Sequence, residues 1–155
     1  MLTIKKRKAL LYVSLIFCFL LCGYQDIGEG EEYTPRDLEK YLEQFEYDHS
    51  RVSGRSCTVY TLSEFIDAGS GICGDFAYAT GILLENMGYE PFILVYPYAG
   101  SLHAVVAFEW YENRDISSGN IWIFDNGELR GPFLKLEEIT STKIHILPVQ
   151  RFLCV

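Results

Sequence analysis

Gly69-Ser70-Gly71-Ile72-Cys73-Gly74-Asp75-Phe76-Ala77 is the stretch whose reading decides this chain. A Gly/Ser run leads into a helical pattern in which Phe76, Thr80, Leu83, Leu84 and Met87 fall on one face. Gly88 just past the last turn and Pro91 three residues on supply a stop. The expected helix therefore runs from about Cys73 to Met87, with Cys73 in its first turn. Unpaired backbone N–H groups and the macrodipole at such an end favour a thiolate over a thiol. Asp75, in the same turn, reads as an acid that complements the dipole. Ala77 and Gly81 line a strip with almost no side chain, suited to close packing on a sheet.

Downstream the pattern turns to strands. Phe92 to Tyr96 is a continuous apolar run, Tyr98-Ala99-Gly100-Ser101 turns the chain, and Leu102 to Trp110 is β-prone. Glu112 to Gly119 is a polar loop, Ile121 to Phe124 is again β-prone, and Asp125-Asn126-Gly127 signals a turn. Lys143 to Val149 alternates well enough for a last strand. Upstream, Thr34-Pro35-Arg36-Asp37 has the form of a helix start, and Leu38, Tyr41, Leu42 and Phe45 form its buried stripe. A short helix after Thr61 has Glu64 as its capping partner and ends before Gly69.

These elements carry three residues of complementary chemistry. A helix-start thiol such as Cys73 can be deprotonated by an imidazole, here His103 on a strand, and a carboxylate, here Asp125, can orient that ring. If the two strands form a hairpin centred on Arg114, His103 and Asp125 face each other directly, with Cβ atoms about 4.5–5.5 Å apart. The bland alternatives are an inert core cysteine, a rim histidine and a turn aspartate. Cys73 departs from the first because its neighbours are polar and Gly-rich. His49 in a polar loop and His145 in the last strand are better explained as structure. Oxyanion stabilisation would use the Cys73 backbone N–H and one upstream donor, for which Tyr60 is a candidate. A zinc site is not expected: the sequence has no Cys-x-x-Cys and no closely spaced His pair.

The chain has 155 residues, about the size of one domain, and 49% of them are apolar, ample for a core. Its charge is uneven. Lys5, Lys6, Arg7 and Lys8 precede any acid, and the rest carries 9 Lys+Arg against 21 Asp+Glu, a net −12. Such a surface repels nucleic acid and anionic lipid, so neither is an expected partner. The basic head leads into the uncharged run Ala9 to Cys22, too short for a usual spanning helix and typical of an export signal. Residues 1–24 are read as signal peptide or N-terminal membrane anchor, 25–33 as an acidic linker and 34–155 as the domain. Cleavage, lipidation at Cys22 and retention as an anchor all stay open. The protein is expected to be exported, to the periplasm, the medium or a tether at the cell envelope. Export leaves Cys57, Cys73 and Cys154, and a Cys57–Cys154 disulfide would keep Cys73 free.

Gly71-x-Cys73-x-Asp75-Phe76-Ala77, the helix ending Glu85-Asn86-Met87-Gly88-Tyr89, His103-Ala104-Val105-Val106 and Phe124-Asp125-Asn126 together resemble the transglutaminase-like superfamily. Within it they are most similar to bacterial transglutaminase-like cysteine proteinases. The resemblance implies an α+β, papain-like core with the Cys helix packed on an antiparallel sheet. It also implies Cys73 as nucleophile, His103 as general base and then acid, and Asp125 as orienting residue. Ile72 and Gly74 stand where some of those proteinases carry calcium-binding acids, so neither a metal nor another cofactor is expected. The resulting expectation is a cysteine peptidase or amidase acting on a protein or peptide through a thioester. The alternatives are a protein-glutamine transglutaminase and a non-catalytic envelope module of the same fold.

Overall fold

Thr34 stands at the N-cap of the first helix, its backbone N–H donating to Asp37 Oδ2 at 3.2 Å. That helix, α1, spans Pro35–Leu42 and buries Leu38 and Leu42. The computed structural model describes residues 33–51, 58–111 and 120–152. The N-terminal segment, Cys57, Cys154 and the polar loop around Arg114 lie outside the described residues, so the expected disulfide is not among the features seen.

A two-residue strand β1 (Glu46–Tyr47) pairs in parallel with β2 (Ser70–Gly71). Between them α2 (Leu62–Ala68) starts at Thr61, where Thr61 and Glu64 cap each other reciprocally, and ends at Gly69 with φ 67°. The central helix α3 covers Cys73–Asn86. Five strands follow: β3 (Phe92–Tyr98), β4 (Ser101–Glu109), β5 (Ile121–Asp125), β6 (Glu128–Phe133) and β7 (His145–Pro148). They form one antiparallel sheet in the order β6-β5-β4-β3-β7. The class is α+β, as expected.

One face of the sheet packs against the helices. Leu38, Leu42, Phe65, Phe76, Leu83 and Leu84 meet Val106, Phe108, Trp122 and Phe124 in a core whose members are at most 7% exposed. The opposite face, with Leu94, Tyr96, Val105, Ala107 and Ile123, is covered by Leu136, Ile139 and Ile144. Gly81 allows a close approach: a Cβ there would stand 2.8 Å from Val149 Cγ2, just beyond β7. The bare strip of α3 thus admits the segment after the last strand.

Two of the sheet's turns are two-residue loops with both residues at positive φ. Ala99 (49°) and Gly100 (85°) join β3 to β4, and Asn126 (50°) and Gly127 (90°) join β5 to β6. That backbone matches the right-handed twist of the flanking strands. Strand β6, which contains Gly131-Pro132, is not among the strands expected from the sequence. It lies at the edge of the sheet, where a proline is tolerated, and its pairing with β5 is irregular between Ile121 and Ile123.

Candidate active site

The site forms where the start of α3 meets one end of the sheet. Three donors converge on Asp75 from different segments. Its Oδ2 accepts from the Ile72 N–H at 2.8 Å and from Arg51 Nη1, and its Oδ1 accepts from the Tyr60 N–H at 2.7 Å. The Arg51 guanidinium lies 3.8 Å from the Tyr60 ring centroid and donates through Nη2 to the Thr58 carbonyl at 2.7 Å. Asp75 is fully buried. It caps α3 as expected, and it also ties the segment carrying Tyr60 and the loop at Arg51 to the first turn that holds Cys73. Gly71 is needed beside it, since a Cβ there would come within 2.7 Å of Asp75 Cβ.

Cys73 is half-buried and free. The His103 ring and the backbone N–H groups of Ala104 and Gly74 lie close enough to its sulfur to favour the thiolate. Burial pushes the thiol up, but the His103 hydrogen bond, these N–H groups and the imidazolium charge outweigh it, leaving the pKa below the ordinary thiol value. His103 Nε2 lies 2.8 Å from Asp125 Oδ1, which leaves Nδ1 as the ring nitrogen to meet the sulfur. Burial would depress the imidazole. The Asp125 carboxylate and the Cys73 thiolate hold it up instead, at about 9. Asp125 is raised by burial and lowered more strongly by His103 and Arg130, ending below the usual carboxylate range. The three groups therefore favour a thiolate, an imidazolium and a carboxylate in sequence.

The strand register corrects the direct-opposition expectation. Val106 pairs with Phe124 and Phe108 with Trp122, a shift of two residues from the hairpin that would oppose His103 to Asp125. An even shift preserves the face, so the two become diagonal neighbours within reach of each other. Tyr96 is the Cα partner of His103 on β3, their ring centroids 5.5 Å apart, and Tyr98, two residues along the same strand, lies at the same distance. Burial and the Asp125 charge push Tyr96 up to about 12, so it stays neutral beside the imidazole.

A tyrosine hydroxyl does meet Cys73, but it belongs to Tyr47. The Tyr47 oxygen contacts both the Cys73 backbone N–H and its sulfur, and burial and the thiolate raise its pKa. Tyr60 instead gives its backbone N–H to Asp75. The signal for Tyr47 lies in the parallel pairing of Tyr47 with Gly71, which sets its strand beside the start of α3; two residues are too few to show periodicity. Arg130 is the second residue that sequence reasoning did not single out, with Nη1 2.9 Å from Asp125 Oδ2. His49 and His145 are both exposed; His49 lies against the Tyr47 ring, with ring centroids 4.8 Å apart, and His145 is on β7.

The transglutaminase-like domain family matches residues 28–144. The UPF0252 protein of Pyrococcus furiosus is 28% identical over 95 residues, 59% of this chain, and the chain spans 26% of that protein's length. LapG of Legionella pneumophila superposes with a TM-score of 0.52 at 21% identity, covering 71% of this chain and 60% of LapG. Its calcium-bound form gives 0.53 at 18% identity, covering 75% and 67%. At these identities the likeness to LapG is one of fold. Calcium does not suit the residues next to Cys73 in this chain. Ile72 and Gly74 offer no side-chain oxygen, and both Asp75 oxygens are occupied by protein donors. Among the described residues no group of three or more His, Cys, Asp or Glu is arranged to hold a metal ion. With more than half of its length matched, on a sheet and helix of the same architecture, the chain belongs to the transglutaminase-like domain family.

Proposed function

We propose that this protein is an exported cysteine peptidase or amidase that cleaves a protein or peptide amide through a thioester on Cys73. The observation that carries the reading is the continuous contact from the Cys73 sulfur through His103 to Asp125, with 2.8 Å between ring and carboxylate. A cysteine serving only as core filling has no need of a neighbouring imidazolium.

The thiolate of Cys73 attacks the amide carbonyl carbon, and the C=O electron pair moves to oxygen. The Cys73 N–H donates to that oxyanion, and the Tyr47 hydroxyl, displaced from the N–H by the incoming oxygen, turns to donate as well. The His103 imidazolium gives its Nδ1 proton to the leaving nitrogen as the C–N bond breaks, leaving a thioester and a free amine. The neutral ring then takes a proton from water as the oxygen attacks the thioester. Loss of the sulfur restores thiolate and imidazolium and releases the acid. Throughout, Asp125 holds the ring and stabilises its charged form. None of these steps calls on a cofactor.

An amine acceptor in place of water would make the same intermediate a cross-linking one. Hydrolysis is favoured by the resemblance to proteinases and by the constant presence of water. Export is supported by the basic head and apolar run at residues 5–22. The test incubates the full chain, and Cys73→Ala beside it, with a complex peptide mixture and a labelled primary amine, reading products by mass spectrometry. New peptide termini that depend on Cys73 are expected, without amine incorporation. Cys73-dependent incorporation would turn the reading to transglutaminase. Neither product, together with slow alkylation of Cys73 by iodoacetamide, would overturn it in favour of a non-catalytic module.

A further inference from the structure

Asp125 is held from both sides, and only one side belongs to the nucleophile and its base. The tight Asn126-Gly127 turn makes Glu128 the Cα partner of Asp125 and Arg130 the partner of Ile123. Paired residues share a face, so Ile123, Asp125, Glu128 and Arg130 lie on the same side of the sheet. His103, diagonal to Asp125 across β4, completes a row over three strands. Two carboxylates directly opposite each other repel. Arg130 relieves this by bridging them: Nη1 lies 2.9 Å from Asp125 Oδ2, while Nη2 and Nε donate to Glu128 Oε2 at 2.6 and 3.2 Å. Each oxygen of Asp125 thus has its own partner, Oδ1 the imidazole and Oδ2 the guanidinium.

We propose that Arg130 is a positioning residue of the active site, its guanidinium fixing the rotation of the Asp125 carboxylate and setting how strongly that carboxylate holds the His103 proton. The proposal rests on the acyl-transfer reading above. A carboxylate with one oxygen free can rotate away from the ring. With Oδ2 paired to Nη1 of a planar guanidinium whose Nε and Nη2 are held by Glu128, Oδ1 stays aimed at Nε2. The charge acts as well. Opposite the imidazole, Arg130 shares the Asp125 field and limits how firmly the proton is kept, which matters because His103 must release it to the leaving group. The groups around this row are Cys73, Tyr47, Tyr96, Tyr98 and Glu128. Burial raises the pKa of Tyr47 and Tyr96 and keeps both neutral near pH 7, so thiolate, imidazolium, the two carboxylates and Arg130 set the balance. A plain surface ion pair would do none of this. With 49% of its side chain exposed, Arg130 should add little to stability.

The test follows His103 by NMR titration, and Cys73 by its alkylation rate against pH, in the wild type, Arg130→Ala and Arg130→Lys. Loss of a positive charge raises the proton affinity of every group nearby. In Arg130→Ala both the His103 midpoint and the alkylation limb should therefore move to higher pH, by about 0.3 to 1 unit. The melting temperature should hardly change. Arg130→Lys should restore the midpoint, which follows charge, but recover only part of the turnover on any peptide substrate found, because a flexible ammonium lacks the planar guanidinium that Glu128 holds in place against Asp125. Unchanged titrations in Arg130→Ala, beside a wild type whose Cys73 is alkylated fast below the ordinary thiol range, would overturn this inference alone. A wild-type Cys73 that reacts as an ordinary thiol would overturn the catalytic reading beneath it.

Discussion

Cys73 and His103 change each other's protonation, and the net effect on stability is a matter of sign. The folded imidazole, at about 9, holds a proton that the unfolded ring releases near 6.5. Taken alone, His103 contributes stability that is complete below 6.5 and lost as pH rises through about 9. The thiol works in the other direction. Its lowered folded pKa means that the folded chain has already lost a proton that the unfolded chain still binds, so its contribution grows with pH. In the pair the two slopes oppose each other, and wild-type stability should vary little between 6.5 and 9. Cys73→Ala removes one half. Its urea-unfolding free energy should then fall across that window by about 1–2 kcal/mol, Asp125 still holding the ring proton. A Cys73→Ala profile as flat as the wild type would show that no such coupling exists. Asp125 adds a loss of stability at the acid end, as pH falls below the ordinary carboxylate range.

Among the elements, α3 was the most legible because local chemistry decided it: a Gly/Ser entry, an apolar face, and Gly88 at φ 87° as the stop. The caps of α1 and α2 were read from single residues for the same reason. What the sequence did not reveal depended on pairing across long separations. Strand β6 reads as a breaker until its edge position is known, and β1 with β2 is too short to show a period. The β4–β5 register is set by packing of Val106, Phe108, Trp122 and Phe124, not by the centre of the connecting loop. Asp75 shows the same limit. Its cap on α3 could be read from spacing, but its bonds to Tyr60 and Arg51, 15 and 24 residues upstream, could not. Asp75→Asn leaves Arg51 without its counter-charge and should cost about 2–4 kcal/mol. The melting temperature checks this, and the alkylation rate of Cys73 should fall too, since the first turn of α3 loses its tether. A variant as stable as wild type would mean that the clamp is dispensable.

Taken whole, the molecule sets a helix start against one end of a sheet so that a thiol, an imidazole and a carboxylate meet from α3, β4 and β5. The residue types and their order along the chain were readable. Tyr47 and Arg130 were not, because they reach the site through β1 and β6, strands that sequence patterning did not find. The most direct test of the account is the ultraviolet absorbance of the Cys73 thiolate against pH, taken as wild type minus Cys73→Ala and repeated in His103→Ala. The account predicts a thiolate well below the ordinary thiol midpoint of about 8.5 in the wild type, and a return toward that value in His103→Ala. A wild-type thiol that titrates at the ordinary midpoint, with His103→Ala the same, would contradict it.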